Sequence, residues 1–124
     1  MNVSAYPSLA HIIPSITNTT SSQVTVQFQQ LSLGPEVEDY YSYTAQIQAV
    51  SARGLIVNAV MVKHRPNEAV GEISVGDLEP NTEYVVTVIP NRVIDVRTYG
   101  NNKQEMGEYS QEYIFITGVV IIAL

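Results

Sequence analysis

Leu78-Glu79-Pro80-Asn81-Thr82-Glu83-Tyr84-Val85-Val86-Thr87-Val88 decides the fold of this chain. A leucine closes one extended segment, Pro80-Asn81 turns the corner, and Tyr84 opens a run of alternating apolar residues. In a sandwich of two β-sheets, a tyrosine placed this way lies across the corner. Its ring fills the end of the core, and its hydroxyl bonds a backbone group a few residues upstream.

The flanking sequence reads as strands. Gln23 to Gln29 alternates strictly, with Val24, Val26 and Phe28 on one face. That pattern is a half-buried strand. Leu33-Gly34-Pro35 breaks it, and Glu36, Glu38 and Asp39 form an acidic bend. Tyr41 to Val50 alternates again, with Tyr41, Tyr43, Ala45, Ile47 and Ala49 sharing a face. Arg53-Gly54 turns the chain into an apolar strand, Leu55 to Val62, long enough to form an extended hairpin with Tyr43 to Val50. Ala69 to Leu78 is a strand with Ile73, Val75 and Leu78 as core candidates. After the corner, Glu83 to Ile89 turns Tyr84, Val86 and Val88 inward, and Pro90-Asn91-Arg92 does not obviously stop it. The polar run Thr17 to Ser22 reads as a loop, and Gly100 to Lys103 as a turn. Tyr109 to Thr117 is the last strand, with either Tyr113 and Phe115 or Ile114 and Ile116 inward. Pro7 and Pro14 bracket a short extended segment suited to a sheet edge. The result is about seven strands at roughly ten-residue spacing and no helix, the pattern of an all-β two-sheet sandwich.

The Leu-x-Pro-x-Thr-x-Tyr spelling of Leu78 to Tyr84 resembles the fibronectin type III family. The likeness runs from about Leu9 to Gly118. Pro14-Ser15-Ile16 is similar to the family's first-strand approach, Ser22 to Phe28 to its second strand, and Tyr43 to Ile47 to its third. Gly107-Glu108-Tyr109-Ser110 is similar to its Gly-x-x-Ser approach to the last strand. The resemblance implies an immunoglobulin-like sandwich of fibronectin type III topology, with Tyr84, Leu78 and Pro80 forming the structural tyrosine corner. One departure is clear: where the family usually carries a tryptophan on the second strand, Phe28 stands. Tyr43 and Tyr84 are the candidates to fill the missing volume. The domain limits that follow are a lead-in or linker at 1–8, the domain at 9–118 and an apolar tail at 119–124.

At 124 residues the chain is long enough to fold on a hydrophobic core alone. It has no cysteine, which excludes disulfides, thiolate metal sites and thiol nucleophiles. Twelve carboxylates against six Lys and Arg give a net charge of −6. That balance argues against nucleic acid, whose phosphates require clustered basic residues.

Catalytic patterns are missing from the sequence. His11 and His64 stand far apart, without partners at metal-ligand spacing. Glu36, Glu38 and Asp39 do not have the spacing of a calcium loop. No nucleophile elbow, phosphate loop or dinucleotide fingerprint occurs. No catalytic residue, metal or cofactor is therefore expected. Two Asn-x-Ser/Thr sequons, at Asn2 and Asn18, fall in segments read as loops and are glycosylation candidates.

The expected function is that of a non-catalytic extracellular interaction or spacer module. It would belong to a cell-surface receptor or adhesion protein and act by protein–protein contact beside neighbouring domains. Tyr40, Tyr41 and Tyr99 are candidate anchors, because aromatic residues dominate interface energetics. Arg97 and the Asn101 to Lys103 segment lie in the longest expected loop. The alternative is an accessory spacer domain of a secreted multidomain enzyme. Gly118 to Leu124 is strongly apolar. It reads either as the start of a membrane tether continuing beyond Leu124 or as the end of a long buried strand. Seven residues fall short of the ~20 that cross a bilayer.

Overall fold

In the computed structural model, which describes residues 12–94, 103–106 and 111–120, two antiparallel sheets face each other across a packed core. For 93–94 and 103–106 only the backbone is described. One sheet has the order β1 (Pro14–Thr19), β2 (Val24–Gln29), β5 (Val70–Val75). The other has the order β4 (Ile56–Lys63), β3 (Tyr41–Ala49), β6 (Glu83–Ile94), β7 (Lys103–Met106), with β8 (Tyr113–Ile116) also on β6. β7 pairs with Asn91–Ile94 and β8 with Glu83–Val86, so these two segments share one strand position. The expected seven strand positions are therefore present. Two short 3-10 turns, Glu38–Tyr40 and Val50–Ala52, flank β3.

Strand alternation sets the core, since successive side chains point to opposite faces. Val24, Val26 and Phe28 of β2 and Ile73 and Val75 of β5 meet Tyr43, Ala45 and Ile47 of β3 and Val86 and Val88 of β6. The space left by the absent tryptophan is closed by an aromatic pair, with the Phe28 and Tyr43 rings 4.8 Å apart. The Phe28 ring also takes room from β5. A Cβ on Gly71 would lie 2.5 Å from its Cζ, so only glycine fits beneath it. In β8, Phe115 is the residue turned inward, while Tyr113, Ile114 and Ile116 are exposed.

Four sequence readings need correction. Thr17 to Thr19 do not belong to a loop: β1 continues to Thr19, with a register shift between Ile16 and Asn18. Polar composition masked an edge strand whose β-branched threonines suit extended backbone; Thr17 Oγ1 donates across it to the Thr25 carbonyl at 3.5 Å. Asn18 accordingly lies on that strand opposite Thr25, and not in a loop. β6 runs past Ile89 to Ile94 and passes through Pro90. Lys103 begins β7 rather than belonging to a loop, because the longer β6 extends its ladder that far.

A proline inside a central strand is unusual, since it cannot donate to the ladder. The phase of the ladder explains it. Thr117 N–H donates to the Thr82 carbonyl, and backbone donors alternate sides along a strand. Even-numbered residues of β6 thus direct their N–H groups toward β7 and β8. Pro90 falls in the stretch 87–90 that neither β7 nor β8 pairs. The missing donor thus falls between the two described pairings of β6.

The outer edge of β4 carries exposed Ile56, Val57 and Met61. Unpaired strand edges can recruit other chains. Asn58 occupies this edge: its Nδ2 donates to the Gly76 carbonyl at 2.9 Å, stapling β4 to the end of β5. Its Oδ1 takes up the outward N–H of Ala59 at 2.9 Å.

Candidate functional site

The two ends of the sandwich differ in construction. At one end the tyrosine corner forms as the sequence predicts. Pro80 leads into Asn81 in the left-handed region, with φ 49°, a conformation Asn tolerates better than most residues. Tyr84 is buried, and its hydroxyl accepts the Glu79 N–H at 2.8 Å. Leu78 is buried beside it and donates its N–H to the Ser22 carbonyl. Phe115 stacks on Tyr84 with ring centres 5.8 Å apart. Thr117, which the sequence reading did not single out, locks the turn. Its hydroxyl donates to the Glu79 carbonyl at 2.6 Å and accepts the Thr82 N–H at 3.0 Å. Only the buried position of a polar residue directly after a strand could have signalled it.

At the other end, the β2–β3 and β4–β5 connections meet around Gln30, a buried polar residue the sequence reading also passed over. Its carboxamide donates to the Arg65 and Glu68 carbonyls at 3.0 and 2.8 Å and accepts the Arg65 N–H at 2.9 Å. One side chain thereby satisfies three backbone groups of the facing connection. Pro66 followed by Asn67 at φ 64° makes that connection tight.

Beside Gln30 lies a second tyrosine contact. Tyr43, fully buried at its ring, accepts the Leu31 N–H at 3.0 Å. Its hydroxyl also meets His64 Nδ1 at 2.7 Å. Burial pushes the Tyr43 phenol up to about 12, against the Leu31 hydrogen bond, which lowers it. Burial also moves the His64 imidazole below its ordinary value of 6.5, against the nearby Glu38 carboxylate. A hydroxyl beside an imidazole is the arrangement of an activated nucleophile. Here the phenol is tied to a backbone amide, and burial holds it far from ionisation.

These connections enclose a cleft of about 370 Å³. Glu38, His64, Asn67 and Glu68 form its polar rim, with Leu31 and Pro35 beside them. No group of three His, Asp or Glu able to hold a metal ion occurs among the described residues.

The candidate anchors divide at this end. Tyr40 is half-buried at the end of the 3-10 turn. Tyr41 is only 1% exposed and cannot serve as a surface anchor; the same alternation that places Tyr43 in the core turns Tyr41 inward. Its hydroxyl lies 3.5 Å from Arg92 Nη1. The backbone of Lys103 pairs with Ile94, at the same end. Arg97, Tyr99 and Asn2 lie outside the described residues. Val119 and Val120 are exposed and outside any strand, and no helix among the described residues is long and apolar enough to cross a membrane.

No protein-family model matches the chain, and neither does any curated protein sequence. Solved structures do. The chicken CNTN1 fragment of domains FN1–FN3 superposes with a TM-score of 0.62 at 18% identity, over 91% of this chain and 32% of that one. The third fibronectin III domain of human KIAA0343 gives 0.54 at 16% identity, over 93% and 86%. The sensor domain of the anti-sigma factor RsgI4 from Pseudobacteroides cellulosolvens gives 0.57 at 15% identity, over 92% of each chain. With the strand order and the corner geometry, these likenesses show that the chain has a fibronectin type III-like sandwich fold.

Proposed function

We propose that this domain is a non-catalytic interaction module of an extracellular or cell-surface protein, working by protein–protein contact beside neighbouring domains. One observation carries the reading. The end formed by the β2–β3 and β4–β5 connections is braced by Gln30 from within while its outer rim stays polar and open. Bracing a loop surface in advance removes part of the ordering cost of association. Tyr40, Glu38 and Asn67 are the side chains at this end on which a partner would settle. The polar groups nearest the core are committed to backbone partners, which suits a scaffold better than a reaction centre. The fibronectin III domains among the structural relatives agree with a module set in a longer chain.

The reading is tested with fluorescent tetramers of the domain applied to a panel of cell-surface proteins. A Glu38→Lys, Asn67→Arg double variant should weaken any saturable binding at least ~tenfold, as loss of central interface contacts does. Glu79→Lys at the opposite end should leave it unchanged. Equal binding by all three proteins would overturn the assignment of the contact surface. Turnover by the domain in a hydrolase screen would overturn its non-catalytic character.

A further inference from the structure

Tyr43 and His64 do more than fill the end of the core, because the direction of their hydrogen bond is determined. The phenol oxygen of Tyr43 already accepts the Leu31 N–H. Among the described residues its single hydrogen has one acceptor in reach, His64 Nδ1 at 2.7 Å. The imidazole must therefore be neutral, with its proton on Nε2 toward the cleft that His64 lines. A second proton would go to Nδ1 and aim at the same phenol. The phenolic hydrogen would then lose its acceptor, at a ring packed against Phe28. A buried donor without a partner is costly, so the contact has to open.

We propose that the Leu31–Tyr43–His64 chain is a pH-operated latch: it holds the β2–β3 connection to the end of β4 at neutral pH and releases it in mildly acidic surroundings. The placement of the three groups gives the latch its reach. Leu31 follows Gln30 at the start of the β2–β3 connection, Tyr43 is in β3, and His64 directly follows β4. The elements adjoining His64 carry the following charged and titratable groups, of which Glu38 and Tyr43 act on the imidazole directly. Glu38 lies in the 3-10 turn, Tyr41 and Tyr43 in β3, Lys63 at the end of β4, and Arg65 and Glu68 in the β4–β5 connection. Burial outweighs the attraction of Glu38 and disfavours the cation. The sign follows. The contribution of this contact is complete above 6.5, the ordinary histidine value, and is lost as pH falls through and below it. The inference rests on the proposed contact surface only for its biological use: release would loosen that surface. Its physical content stands without a partner.

The test uses the wild-type domain and nuclear magnetic resonance between pH 7.5 and 5. At pH 7.5 the His64 ring nitrogens should report the neutral form protonated at Nε2. As His64 takes up its second proton, the Leu31 amide should lose its protection from hydrogen exchange in the same titration. The Glu79 amide, held by Tyr84, should keep its protection. Tyr43→Phe should leave the Leu31 amide unprotected throughout the titration, at pH 7.5 as at pH 5. An Nδ1-protonated ring at pH 7.5, or a Leu31 amide that stays protected while His64 titrates, overturns the latch. None of these readouts involves a partner, so they fail or succeed separately from the binding assay.

Discussion

Tyr84 and Tyr43 sit at opposite ends of the sandwich, and each takes a backbone N–H into its phenol oxygen, from Glu79 at 2.8 Å and from Leu31 at 3.0 Å. Each also leans on a phenylalanine, Phe115 for Tyr84 and Phe28 for Tyr43. The difference is in what surrounds the hydroxyl. Around Tyr84 stand the groups of a turn and the hydroxyl of Thr117, none of which changes charge near neutrality. Tyr43 meets an imidazole, the side chain whose ordinary titration falls in the physiological range. The same local solution thus gives a fixed end and an end whose holding strength depends on pH.

The largest expected effect concerns the two phenylalanines. Phe28→Ala should cost about 3–5 kcal/mol, the usual range for emptying a buried aromatic site. Phe115→Ala should cost less, because Phe115 belongs to a four-residue strand with three exposed neighbours. Urea unfolding at neutral pH measures both, and a reversed order would mean that the core is centred at the corner. Next come the polar braces. Gln30→Leu strands one backbone donor and two acceptors and should cost about 2–3 kcal/mol. Thr117→Val strands one of each and should cost about 1–2 kcal/mol. If the two losses are equal, water replaces part of the Gln30 contacts.

Removing single hydroxyls separates the ends most cleanly. Tyr84→Phe and Tyr43→Phe should each cost about 1–2 kcal/mol at pH 7.5. At pH 5.5 the Tyr84→Phe penalty should persist, while the Tyr43→Phe penalty should shrink, because the wild-type contact has itself been weakened. Unfolding curves at the two pH values check this, and a constant Tyr43→Phe penalty would remove the contrast. The smallest effect belongs to Arg53 and Glu112, an ion pair with both side chains about half exposed. Arg53→Ala should change stability by less than ~0.5 kcal/mol at either pH.

The corner was legible because its signals are local. Leu78, Pro80 and Tyr84 are spaced along seven residues, and the hydrogen bond that defines the corner, from the Glu79 N–H to the Tyr84 hydroxyl, stays within that stretch. The alternating faces of β2 and β3 were legible for the same reason. The other end was not. Gln30 acts on residues 35 and 38 positions away, and Tyr43 meets His64 across 21. A lone glutamine or histidine carries no periodic signature that could announce such a partner. The same limit explains Tyr41, whose inward face was read correctly although its depth was not. It explains Pro90 as well: only the pairing of β6 with two separate segments shows why a proline fits there.

Asn58 has a consequence of another kind. A bare apolar strand edge would serve as a template for cross-chain stacking. A single carboxamide, turned inward to Gly76 and back onto Ala59, deprives that edge of a continuous row of donors. Replacing it with valine should alter the interior little and raise the tendency of the domain to aggregate, which light scattering would measure.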